Sequence, residues 1–290
     1  MIHFLQTFVQ IRRRVRQHAT WYSLMVVVLL FGLFLEAYMH NFNLVYITLF
    51  FVFAAAFSAG YFGLMNIGQL DASFEHAERL YAGEEGNCFF RVENPTASPA
   101  WAIELYCEQY RGTVSRIDAY DAVLVPLRLT PAKRGRMKCE TCYLQSFFPL
   151  STIRFTVPAT SCLDTIVYPC PEGRTLESFL SKQHAYYGDE KDFDGLSSYS
   201  GSESMSRIHW PSVAKGEPSV KRFEKESQTE RLEFDFYAAG GSDEVRLSQL
   251  TLWVLECERS GLPFTVKMPQ RVLRSDKESI DAILEYLALY

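Results

Sequence analysis

Three stretches of this chain carry residue types that do chemistry elsewhere, and each is weighed against the spacing its chemistry needs. The first, GLSSYSGSESMSRIHWPSVAK from Gly195 to Lys215, offers serines, Arg207 and His209. A nucleophile elbow requires Gly-x-Ser-x-Gly on a strand-to-helix turn, and that spacing does not occur here. Neither a phosphate loop nor a Gly-x-Gly-x-x-Gly turn is present. The second is the acidic turn with Asp189, Glu190, Asp192 and Asp194. It supplies hard oxygen ligands for Ca²⁺ or Mg²⁺ but lacks the closing bidentate glutamate of a calcium loop, and reads as a solvated charged turn. The third is Cys139-Glu-Thr-Cys142, which has metal-ligand spacing. Cys162 and Cys170 stand too far apart to complete a zinc knuckle, so these read as buried or half-exposed thiols. The sequence therefore predicts no catalytic residue, no cofactor and no metal. The competing readings are a hydrolase using His209 as base for a Ser or Cys, and a divalent-cation module centred on Asp192 and Asp194.

What remains is a recognition surface. Arg207, His209, Trp210, Lys215, Lys221, Arg222 and Phe223 combine flat anchors with charges, and Trp and Arg are enriched where interfaces exclude water. Lys215, Lys221, Arg222 and Lys225 are interleaved with Glu217, Glu224 and Glu226, so the local field nearly cancels. That favours specific ion pairs over attraction to lipid or nucleic acid. The whole chain, with net charge -5 and pI near 5.8, has no global basic field for nucleic acid either.

The elements that must hold this surface begin with two apolar blocks. Trp21 to Met39 contains a single charge, Glu36, and Leu44 to Met65 contains none. At about 1.5 Å per residue each is long enough to cross a hydrocarbon layer of about 30 Å. Only His40-Asn-Phe-Asn43 separates them, which predicts an antiparallel transmembrane hairpin, and a second span argues against a cleaved signal peptide. Arg12, Arg13, Arg14 and Arg16 precede the first span while the connection has no Lys or Arg. The expectation is a multi-pass bacterial inner-membrane protein with the N-terminus and all folded domains cytoplasmic. Glu36, near the end of its helix, is expected at the far interface. The seven cysteines are expected to stay free thiols in a reducing compartment.

After the hairpin, Asn87–Glu93, Trp101–Cys107, Ala122–Leu129, Lys138–Leu144, Ser151–Val157 and Asp164–Tyr168 are rich in β-branched and aromatic residues and are separated by Pro- and Gly-containing turns. Such spacing predicts an all-β immunoglobulin-like sandwich. Further on, a strand at 231–237, a helix over Asp243–Arg259 closed by Gly261, a strand at Pro263–Met268 and a capping box at Ser275-Asp-Lys-Glu278 before a last helix predict a small parallel α/β unit. The divisions are a basic N-terminus (1–20), a hairpin (21–65), a sandwich (66–170), a linker and motif segment (171–229) and an α/β unit (230–290). The fold class is that of an α+β membrane protein.

An ordered set of short motifs runs through most of this chain. It comprises the N-terminal hairpin, Arg134-Gly135-Arg136, Ser146-Phe-Phe-Pro-Leu150, Val167-Tyr-Pro169, Asp192-Phe-Asp-Gly-Leu196, Tyr199, Arg207-Ile-His-Trp210, Ala214-Lys215 and Val220-Lys-Arg-Phe-Glu224. The set resembles the bacterial domain-of-unknown-function family 58, membrane proteins encoded beside MoxR-type AAA+ ATPases. Here Ser197 follows the Gly-Leu pair where the family has arginine, and Ser202-Glu203 stands near its Gly-Asp. The resemblance implies a non-catalytic membrane-anchored scaffold that works with a MoxR-type ATPase, with neighbouring membrane proteins as further partners, in assembling or maturing protein complexes. It also implies a C-terminal unit like a partial von Willebrand factor type A domain. That domain's metal site uses Asp-x-Ser-x-Ser, whereas Asp235 here is followed by Phe-Tyr-Ala-Ala, so no metal is expected.

Overall fold

The structure, a computed structural model, describes residues 11–40, 42–187, 193–198, 219–223 and 231–290. It is a mixed α+β fold with two apolar N-terminal helices and several sheets, divided into one compact unit ending at Tyr168 and a second beginning at Pro169.

Helices α1 (Trp21–His40) and α2 (Asn43–Ile67) are long and apolar enough to cross a membrane, with mean hydropathies of 2.0 and 1.9. Their side chains point outward all round. Phe50, Phe51 and Phe57 are 65%, 73% and 75% exposed, and among the described residues of α1 only Ala37 is buried. A core helix of a water-soluble domain would instead hide one stripe. The buried residues of α2, namely Ala59, Gly63, Leu64 and Ile67, all lie in its last turns, where the helix meets the β structure. Glu36 and His40 pair at 3.2 Å at the end of α1 remote from that junction.

Among the described residues, the β structure of the first unit comprises three sheets. The largest orders β1 (Arg16–Ala19), β10 (Ile153–Pro158), β9 (Cys142–Ser146), β5 (Ala100–Cys107) and β6 (Tyr110–Ile117). A second joins β2 (Asp71–Ala77), β4 (Gly86–Glu93) and β7 (Ala122–Leu129). The third joins β3 (Leu80–Tyr81), β11 (Asp164–Tyr168) and β8 (Gly135–Lys138). All pairs are antiparallel except β3–β11. Alternate residues turn inward, as the two-residue period of a strand requires. Phe90 and Val92, Ile103 and Leu105, Val125 and Leu127, and Phe155 and Val157 share one core with Leu64 and Ile67 of α2. Each such side chain contributes roughly 1.5–3 kcal/mol by leaving water.

The segment Lys138–Leu144, expected as one strand, is two: β8 ends at Lys138 and β9 starts at Cys142 in a different sheet. The chain crosses over between them, with Cys139 N–H donating to the Leu163 carbonyl at 3.0 Å and Glu108 N–H to the Thr141 carbonyl at 3.2 Å. Strands β1, β2, β3 and β6 were not expected. Strands β1 (RQHA) and β6 (YRGTVSRI) carry too few apolar residues to signal a strand and form because stronger neighbours pair with them.

The second unit contains α3 (Leu176–Tyr187), a ladder of β12 (Phe193–Ser198) with β13 (Ser219–Phe223), then β14 (Leu232–Asp235), α4 (Asp243–Ser260), β15 (Phe264–Lys267), β16 (Val272–Arg274) and α5 (Ile280–Leu289). The expected parallel pairing is present between β14 and β15 across α4, while β16 joins the same sheet antiparallel to β15. Gly261 closes α4 in the left-handed region at φ 66°, with Leu262 N–H donating to the Cys257 carbonyl at 3.1 Å. Phe234 and Trp253 stack at 5.1 Å and Phe179 of α3 packs on both, while Gln249 clasps both backbone groups of Arg174 at 2.7 Å. Two expectations are corrected. Spacing in the sequence puts Val245, Leu247, Leu250, Val254 and Cys257 near one apolar stripe of α4, but Val245 is 55% exposed. The last helix is capped by Ser279, whose hydroxyl accepts from Ala282 N–H at 3.2 Å, and not by the box at 275–278, whose Lys277 and Glu278 amides close a turn on Arg274.

Candidate functional site

Of the residues expected to form a recognition surface, Arg207, His209, Trp210 and Lys215 lie outside the described residues, as do Asp189, Glu190 and Asp192 of the acidic turn. Lys221, Arg222 and Phe223 lie on β13, where they face Leu196, Gly195 and Phe193 of β12. Two motif stretches separated by more than twenty positions are thus neighbours on one ladder, with a register shift between Phe193 and Gly195 at the position of Asp194.

The motif residues of the first unit hold the fold. Arg136 binds Asp164 through two parallel bonds of 2.8 Å, with Lys138 at 3.3 Å from the same carboxylate. The Arg136 fork holds the Asp164 carboxyl at about 2, below its ordinary 3.8. Ser146 is fully buried at the junction with α2. Its hydroxyl accepts from Asn66 Nδ2 at 3.2 Å and from Phe148 N–H at 3.2 Å and donates to the Trp101 carbonyl at 3.3 Å. In the second unit Asp235 is occupied locally, its Oδ1 accepting from the amides of Tyr237 at 2.7 Å and Ala238 at 3.2 Å.

The cysteines depart from the expectation of seven free thiols. Cys107 and Cys142 face each other across β5 and β9 with Cα atoms 4.2 Å apart and are joined by a disulfide. The pairing depends on strand register over a separation of 35 residues, which spacing does not reveal. It also removes Cys142 from any metal site with Cys139. Burial pushes the Cys139 thiol up to about 11 and those of Cys88 and Cys257 up to about 12.

A feature the sequence reading missed lies beside β1. The register sets Arg16 opposite Thr156 and His18 opposite Arg154 on one face of the sheet. Together with Arg13, they line a groove of about 650 Å³ whose floor includes Tyr143 and Gln145. Ile11 and Val15, each 5% exposed, anchor this edge in the core. Thr20 latches it to the β9–β10 turn, its hydroxyl 2.7 Å from the Ser151 carbonyl and 2.9 Å from that of Thr152. Arg14 is engaged by Asp71 at 3.0 Å, and Asp71 also accepts the Thr160 hydroxyl. By contrast Arg13, Arg16 and Arg154 are exposed and form no ion pair with a described residue. The only signal in the sequence was the Arg12–Arg16 cluster, which topology alone had accounted for.

Compared with protein-family models and with curated proteins, the chain matches none.

Proposed function

We propose that this protein is a non-catalytic, membrane-anchored scaffold: α1 and α2 form a transmembrane hairpin, and an immunoglobulin-like β domain with a small von Willebrand A-like α/β unit is displayed at the cytoplasmic face. A bacterial inner-membrane location and a MoxR-type AAA+ ATPase as partner complete the reading. One observation carries it. Apolar side chains are exposed around both helices while the base of α2 is packed into the β core, an arrangement that hides its apolar surface only when lipid surrounds the helices.

Several features support the finer parts of the reading. The arginines before Trp21 favour retention of that end in the cytoplasm. Trp21 and Tyr22 at one end of α1 and Tyr38 at the other are each more than half exposed, as interfacial aromatic belts are. The motif resemblance names the ATPase, and the β12–β13 ladder brings two of its stretches together. The Cys107–Cys142 bridge pulls the other way, since disulfides persist in oxidising compartments. The test has two arms. A reporter fused after Tyr290 should be active as a cytoplasmic fusion and silent as a periplasmic one; the reverse result overturns the orientation. Detergent-solubilised protein should co-purify with a MoxR-type ATPase from the same cell and lose it on Arg207→Ala with Trp210→Ala. Absence of association in the unaltered protein overturns the partner.

A further inference from the structure

We propose that the groove between β1 and the β9–β10 pair is a binding site for a phosphate group presented where the hairpin leaves the bilayer. The carrier is an anionic phospholipid headgroup or a soluble phosphate ester. The proposal rests on the membrane reading for the location of the groove, but not on the scaffold or ATPase assignments.

The first argument is uncompensated charge. Elsewhere in this unit arginines face carboxylates: Arg91 with Glu93 at 2.6 Å, Arg111 with Glu104 at 2.5 Å, Arg116 with Asp118 at 2.6 Å, and Arg136 with Asp164 at 2.8 Å. In the groove Arg16 and Arg154 stand diagonally on one face of two paired strands, with Arg13 and Arg14 in the same lining, and among the described residues Glu140 is its one acidic side chain. Like charges gathered along one groove repel, and a chain of net charge -5 has acids enough to avoid it. An anion between them turns the repulsion into charge-assisted hydrogen bonds, for which the guanidinium fork matches phosphate.

Donor chemistry supplies the second argument. His18, Thr156 and Tyr143 add further hydrogen-bonding groups to the same lining, the mixture that fixes a phosphate's oxygens and the polar part of its ester, while the Gln145 amide donates to Glu104 at 3.1 Å. The third argument is placement. Strand β1 passes through Thr20 directly into α1 at Trp21, so the arginines sit at headgroup depth if Trp21 marks the interface. Residues 1–10, which precede the groove in the chain, contain no Asp or Glu to neutralise it.

The test uses the full-length protein. In one arm it is placed in nanodiscs of equal parts phosphatidylcholine and phosphatidylglycerol, released into neutral detergent, and the retained lipid is identified by native mass spectrometry. In the other, inorganic phosphate is titrated into protein held in neutral detergent while the melting temperature is followed. Retention of phosphatidylglycerol over phosphatidylcholine assigns the lipid headgroup as carrier, and stabilisation by phosphate without lipid preference assigns a soluble ester. In whichever arm is positive, Arg16→Gln and Arg154→Gln should each weaken binding about fivefold, the effect of roughly one juxtamembrane arginine. Arg12→Gln, outside the lining, should change it much less. Because Arg16 and Arg154 are exposed, their variants should keep the unliganded melting temperature, and a variant that does not is replaced by the Met substitution, which also removes the charge. No binding in either arm overturns the proposal, as does a loss with Arg12→Gln equal to that with Arg154→Gln, which would indicate diffuse attraction and not a site. If the chain proves soluble without detergent, the membrane reading fails and the phosphate arm alone decides the site.

Discussion

Asn66, in the last turn of α2, holds Trp101 of β5 by both of its backbone groups: its Oδ1 accepts the Trp101 N–H at 2.8 Å and its Nδ2 donates to the Trp101 carbonyl at 2.9 Å. The same Nδ2 reaches the buried Ser146 hydroxyl at 3.2 Å. One side chain thus ties the end of an apolar helix to two strands of the largest sheet, and the hairpin and the β domain share a core rather than a tether. The scaffold role proposed above needs such a joint.

Asn66→Ala should therefore destabilise the first unit. It leaves two partly exposed backbone groups without their partner, for a net loss of about 1–2 kcal/mol. Asn66→Asp keeps the acceptor and loses the donor, and should fall between. Chemical denaturation in detergent, followed by the far-ultraviolet signal of the β domain, measures both. Equal stability of all three proteins would show that the joint carries no load.

Close approach at the same junction depends on Gly63. A methyl group there would meet the Phe148 carbonyl oxygen at 2.6 Å and run into the Phe155 ring. A backbone oxygen cannot swing aside, so Gly63→Ala should push α2 off the sheet and cost about 1–3 kcal/mol as an overpacked site. Gly32 has nothing within 4 Å, and there the same substitution should be neutral or mildly stabilising through helix propensity. Melting temperatures that move in the same direction for both variants would refute the packing argument.

What the sequence disclosed and withheld follows from how far apart the deciding residues lie. The two apolar helices were legible from composition alone, because no partner is needed to recognise them. Strands β4, β5, β7 and β11 were legible from local alternation and β-branched content, and the parallel β14–α4–β15 unit from a helical stripe between two short strands. Strands β1 and β6 were not, because their pairing with β10 and β5 supplies what their residues lack. The groove and the disulfide failed for the same reason. Arg16 meets Thr156, and Cys107 meets Cys142, only once register is set by contacts far away in the chain. Of the expected recognition surface, only the backbone neighbourhood of Lys221, Arg222 and Phe223 falls within the described residues.

The Asp164 carboxyl, held at about 2 by its paired bonds to Arg136, makes a prediction with a definite sign. Its acidity is greater folded than unfolded, so its contribution is complete above the ordinary value of 3.8 and is lost as pH falls towards about 2. Asp164→Asn should lower stability at neutral pH and show a shallower loss across that acid window than the unaltered protein. Because the pair is exposed, the difference should shrink at high salt. Parallel stability-versus-pH curves for the two proteins would show that the fork does not couple to folding.

The cysteines decide the compartment independently of any reporter. Five cysteines lie outside the bridge: Cys88, Cys139 and Cys257 are buried, with thiolate formation suppressed by burial, while Cys162 and Cys170 are half-exposed. Brief alkylation of the folded protein near pH 8 should therefore label Cys162 and Cys170 first, and Cys88 and Cys257 only after denaturation. Protein trapped by acid quenching of whole cells, then denatured and alkylated without reductant, reports whether Cys107 and Cys142 are bonded in place. Modification of both places the β domain in a reducing compartment, in agreement with the arginines before Trp21. Protection of that pair alone, released by reductant, places the domain on the oxidising side and reverses the orientation proposed above, because register then lets the two thiols meet and the surroundings keep them joined.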